Sequence, residues 1–138
     1  LTTPGLCFVR ISKTKPREGL AIGREIAKSV KIAKIAIVVD SDINIHNTDE
    51  VMHAVGARWQ PHPASEIVEK AGAMGGDPSA VIKGEGSRIV IDATRQLPEE
   101  GGPKHYPAMN RASLADAAPD IFSSIDKKYG HLISDWKS

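Results

Sequence analysis

Ile35-Ala36-Ile37-Val38-Val39-Asp40-Ser41-Asp42-Ile43-Asn44-Ile45 decides the fold class of this chain. An apolar run rich in Ile and Val suits a strand buried on both faces of a sheet. A second segment repeats the pattern: Gly86-Ser87-Arg88-Ile89-Val90-Ile91-Asp92-Ala93-Thr94. Each run ends in an acidic residue. Open α/β sheets place ligands beside the carboxyl ends of their strands. Asp40, Asp42, Asp92 and Thr94 are therefore the first residues to question.

Outward from these segments, strands and helices alternate. Leu6 to Ser12 reads as a strand. Thr14-Lys15-Pro16 turns the chain into a helix near Arg17 to Val30, with Leu20, Gly23, Ile26, Ala27 and Val30 on one face. Gly23 in that stripe suggests close packing on the sheet. Asn47 is a good cap for the next helix, with Glu50 placed as in a capping box and Asp49 beside the positive helix end. Val51, Met52, Val55 and Trp59 are its expected buried stripe, and Pro61 and Pro63 stop it. A short strand is expected over Glu66 to Ala71. The glycine-rich stretch to Gly86 reads as a surface loop. Leu97 to Pro107 is a second such loop. Pro119 opens a last helix, with Ile121, Phe122, Ile125 and Tyr129 expected to face inward and Gly130 at its end. The tail carries Leu132, Ile133 and Trp136, which should dock on an apolar surface. The expected fold is a layered α/β/α domain with a mostly parallel or mixed central sheet, spanning 1–138.

Composition narrows the function. The 138 residues suffice for one core. A net charge of +1 with cations scattered among 17 acids gives no nucleic-acid-binding face. Arg10, Lys13, Lys15 and Arg17 form only a loose basic set. The one cysteine, Cys7, excludes a disulfide framework and fits a reducing, cytoplasmic setting. It sits in an apolar run and reads as an inert thiol. No apolar stretch is long enough for a membrane span. The chain starts at Leu1, as an excised domain or a processed fragment would.

Three motifs bear on chemistry. Asp40-Ser41-Asp42 after a buried strand resembles the nucleophile loop of haloacid-dehalogenase-type phosphatases, which use magnesium. The downstream acidic motif of that family is broken here, since Val81 stands where Asp is needed. The bland alternative is that both carboxylates accept backbone N–H bonds in the turn. His46, His53, His62, His105 and His131 show no zinc spacing. Lys83-Gly84-Glu85-Gly86-Ser87-Arg88 could cradle an anion with its backbone and cations. A plain connecting loop is the alternative. No nucleophilic triad is supported.

In order along the chain, four pieces resemble the C-terminal domain of the UbiD-like decarboxylases, the 3-octaprenyl-4-hydroxybenzoate carboxy-lyase family. They are Ile35 to Asn44, Glu50-Val51-Met52-His53-Ala54-Val55-Gly56-Ala57-Arg58, Asp77-Pro78, and Gly86 to Thr94. His53 and Gly56-Ala57 depart from the family pattern. The resemblance implies reversible decarboxylation of aromatic or unsaturated acids with prenylated FMN, a divalent metal and potassium. It also implies that the catalytic and metal-binding groups lie on a preceding N-terminal domain or subunit. This chain would serve homo-oligomer assembly and cleft closure, be inactive alone and bind no cofactor tightly alone. By resemblance Arg88, with Lys83 and Ser87 beside it, is the expected contact to the cofactor phosphate. Asp92 and Thr94 either face the cleft or cap the following turn. The alternatives are a stand-alone small subunit of a multi-subunit carboxylase and the D-x-D phosphatase.

Overall fold

The computed structural model describes residues 5–72, 77–106 and 120–130. The chain divides into two compact units, Leu1–Tyr106 and Pro107–Ser138. The first unit holds a four-stranded sheet of order β1-β2-β4-β3. Its strands are β1 (Leu6–Ile11), β2 (Ile35–Asp40), β3 (Ser65–Val68) and β4 (Arg88–Asp92). β1, β2 and β4 run parallel, while β3 pairs antiparallel with β4. The sheet is thus mixed and mostly parallel, as its sequence pattern predicts. β2 and β4 lie side by side with Val38 opposite Asp92, and β1 sets Ile11 opposite Asp40. That register gathers the carboxyl ends of all three parallel strands at one edge.

α1 (Glu18–Ser29) packs against β2, β3 and β4. Its approach depends on two glycines one turn apart. A Cβ on Gly23 would collide with Val90, and a Cβ on Gly19 would collide with the carboxylate of Asp92. Leu20, Ala27 and Val90 form a buried cluster, with Val68 of β3 packed against it. The Gly23 stripe read from the sequence is therefore a real contact line.

α2 (Thr48–Arg58) begins at Asn47, whose side chain accepts from the backbone N–H groups of Asp49 and Glu50. The Glu50 carboxylate reaches back to the Asn44 N–H at 3.0 Å, a wider version of the expected capping box. Its buried residues are Val51, Ala54 and Arg58. Met52 is 52% exposed, against expectation. It lies one residue off that stripe, about 100° round the helix. Trp59 is half-buried, and its indole N–H donates to Ser65 at 3.0 Å.

β3 is shorter and starts earlier than Glu66 to Ala71. The left-handed backbone of Lys70, at φ 50°, closes off extension beyond it. In the second unit, α3 (Ile121–Tyr129) has Ile125 37% and Tyr129 43% exposed, so its apolar stripe is only partly covered. The side chain of Phe122 and the tail from His131 to Ser138 lie outside the described residues.

Candidate functional site

The carboxyl edge of the sheet carries an ion network centred on Arg58. The Arg58 side chain is 4% exposed. It donates to Asp42 through both terminal nitrogens, each at 2.9 Å, and to Asp40 at 2.8 Å. Arg95 completes the network. Its backbone N–H donates to Asp40 at 2.8 Å and its Nη2 donates to Asp42. Burial pushes the Asp40 carboxyl above its usual range, against the pull of the Arg95 N–H and the Arg58 charge. The Arg58 hydrogen bonds hold Asp42 below its usual range. The two acids of one motif are thus driven apart by their surroundings.

Beside it lies a second, fully enclosed group. Lys13 Nζ sits 2.6 Å from Glu100 and 3.6 Å from Asp92, with all three side chains at most 5% exposed. Asp92 Oδ1 accepts from the Thr94 backbone N–H at 3.1 Å and from its hydroxyl at 2.5 Å. Glu100 also accepts from the backbone N–H groups of Arg17 and Leu97. These contacts bind β1, α1, β4 and the 3-10 turn Pro98–Glu100 together. Asp92 and Thr94 are each 0% exposed, which leaves the cleft-facing reading no open surface in this chain. Their geometry is the turn cap that was its alternative.

Arg88, Lys83 and Ser87 lie toward the opposite edge of the sheet. β4 separates Arg88 from Asp92 by four residue steps, about 13 Å of extended chain. Arg88 is 4% exposed. Its Nε and Nη2 donate to Gly72 O, Nη1 to the carbonyls of Ala27 and Val30, and Nη2 also to that of Lys31. An arginine has five N–H donors, and carbonyl oxygens take all of them. The guanidinium caps the C-terminal end of α1, where a cation suits the helix dipole. In this structure no donor of Arg88 is left over for the expected phosphate contact. Ser87 and Lys83 are exposed. Ser87 lines a concavity of about 430 Å³ with Lys34, Asp77 and Ser79. Lys34 is itself paired there with Asp77 at 3.0 Å.

This arrangement limits the chemistry. Asp40 and Asp42 face guanidinium groups, so the phosphatase reading loses the metal its nucleophile requires. Among the described residues no group of three or more His, Cys, Asp or Glu side chains could hold a metal ion. His46, His53, His62 and His105 are exposed, and His131 lies outside the described residues. Sequence reading missed Arg58, Arg95, Lys13 and Glu100 as members of the strand-end network. Arg58 ends an amphipathic helix and Arg95 directly follows Asp92-Ala93-Thr94. Neither spacing alone reveals which acid each would meet.

Fold and site together define a small mixed-sheet α/β domain whose strand-end charges are largely neutralised by one another. The chain belongs to the 3-octaprenyl-4-hydroxybenzoate carboxy-lyase C-terminal domain family, whose pattern matches residues 2–93. It is 34% identical over 110 residues to an uncharacterised protein of Aeropyrum pernix, covering 75% of this chain and 22% of that protein. It is 35% identical over 107 residues to the anhydromevalonate phosphate decarboxylase of Archaeoglobus fulgidus, covering 73% of this chain and 24% of that enzyme. Among solved structures it resembles the UbiD-class enzyme HmfF of Pelotomaculum thermopropionicum in complex with FMN. The TM-score is 0.58 at 33% identity, over 79% of this chain and 25% of that one. The chain thus spans about a quarter or less of the length of these relatives.

Proposed function

We propose that the chain is the C-terminal assembly and cofactor-cleft part of a prenylated-FMN-dependent (de)carboxylase acting on aromatic or unsaturated acids. The observation that carries this is family membership over a span of only 22–24% of the two protein relatives. The acid–base and metal-binding groups belong, in this reading, to an N-terminal portion or subunit of the same enzyme. The ion networks support a scaffolding role, because they tie α2 and the segments after β1, β2 and β4 together within the domain. Arg88, Lys83 and Ser87 do not fit a flavin-phosphate cradle: the first is saturated by carbonyls, and all three sit away from the strand carboxyl ends. No described cluster suits a divalent metal. In this reading the chain alone binds neither flavin nor metal tightly. Potassium, like the divalent metal, belongs to the complete enzyme.

The domain acts as a homo-oligomer with its catalytic portion, in the cytoplasm. No helix among the described residues is long and apolar enough to cross a membrane. The same geometry serves a stand-alone small subunit equally well. The test supplies the pure chain with prenylated FMN, manganese, potassium and a panel of aromatic acids. No turnover is expected, and addition of the catalytic portion of a relative should give a complex by light scattering. Turnover by the pure chain would overturn the reading.

A further inference from the structure

Two arginines of this domain differ in how fully they are used. Arg88 gives every N–H to a carbonyl oxygen. Arg95 does not. Its Nη2 meets Asp42, its Nε is buried with no acceptor, and its Nη1 has none among the described residues. Yet its side chain is 42% exposed and is fixed at two points, through its own backbone N–H and through Asp42. A buried donor left without an acceptor is unfavourable, and a planar guanidinium with spare donors is suited to oxyanions. It stands at the carboxyl edge of the sheet, where such folds bind ligands.

We infer that Arg95 is an oxyanion-binding residue of this domain, presented by the Asp40–Arg58–Asp42 network. The inference rests on reading this edge as a wall of the cofactor cleft. The ligand class is a planar or tetrahedral oxyanion, a carboxylate or a phosphate. Asp42 orients the guanidinium and offsets part of its charge. Arg58 keeps Asp42 in place, which makes Arg58 a positioning residue.

The experiment is an NMR titration of the full ¹⁵N-labelled chain at constant ionic strength. Inorganic phosphate and benzoate are added separately, against chloride, and the Arg95 amide and Nε–H resonances are followed. The expected result is a saturable shift centred on Arg95 with at least one probe. Phosphate alone would assign the phosphate source, benzoate alone the carboxylate source. Arg95→Gln should weaken the response about tenfold or more. If that variant is unfolded, Arg95→Lys keeps a charge beside Asp42 and should still bind more weakly. The inference is overturned if neither probe gives a saturable shift. It is equally overturned if the substitution changes nothing, or if the shifts centre on Lys34. Assembly with the catalytic portion is a separate readout, so loss of one result does not imply loss of the other.

Discussion

Arg58 clasps Asp42 with two parallel hydrogen bonds of 2.9 Å, reaching from the last residue of α2 to the loop beyond β2. One side chain thereby decides how α2 meets the sheet edge. α2 buries only two apolar side chains, Val51 and Ala54, beside this arginine. An ionic clasp fixes direction where apolar packing alone would not, because bidentate pairing has a set geometry.

Arg58→Ala should lower unfolding free energy by about 3 kcal/mol, the low end for breaking a buried pair, since Asp42 keeps part of its surface in water. Arg58→Lys should recover little of that loss, because an ammonium cannot make the parallel contacts. Urea titration of the three proteins measures both. Equal stability of Arg58→Ala and the parent would refute the clasp.

Gly23→Ala should reverse the usual helix-propensity trend. Alanine normally favours a helix interior by about 1 kcal/mol over glycine. Here its Cβ would meet Val90 and also press on Val38 at 3.2 Å. Overpacking of about 1–3 kcal/mol should dominate. A thermal melt that rises for Gly23→Ala would show that the helix can retreat from the sheet at no cost.

Arg88→Lys should destabilise by at least about 2 kcal/mol, because buried carbonyls lose their donors. The loss should be felt at both ends of the tether, α1 and Gly72. Limited proteolysis near Lys70 should therefore accelerate in the variant. Unchanged proteolysis and stability would argue that water satisfies those carbonyls.

Acid should weaken the fold through Asp42. Its folded carboxyl ionises more readily than the ordinary value of about 3.9. Its contribution is present above that value and is lost as pH falls through the depressed folded one. Asp77, held at about 2 by Ser79 and Lys34, has the same sign. Asp40 has the opposite sign: its raised carboxyl favours the fold below about 3.9 and loses that benefit as pH rises through its folded value. Urea midpoints between pH 2 and 6 should thus fall toward acid, and Asp42→Asn should flatten the slope. A parallel slope in the variant would remove Asp42 from the account.

Much of the fold was legible because it rests on local periodicity. The Ile35 to Asp40 run, the Gly23 stripe and the Asn47 cap all encode their structures within a few residues. Met52 was misread because neighbouring apolar residues on a helix compete for one narrow contact, and only the sheet decides between them. The carbonyl partners of Arg88 were hidden for a different reason. A cation beside a glycine loop looks like an anion site until the carbonyls of Ala27, Val30 and Lys31 arrive from a distant helix end.

Apolar spacing and ordered motifs were enough to set the α/β architecture, the placement of polar residues at strand ends and the family resemblance. Tertiary structure alone decided the partners of each charge. Arg58 lies 16 residues from Asp42, and Arg95 lies 55 from Asp40. Their pairing follows from the parallel register of β2 and β4 and from the placement of α2 at the strand ends. Charge interactions are set by distances of a few ångströms in space, and one-dimensional spacing does not carry that information.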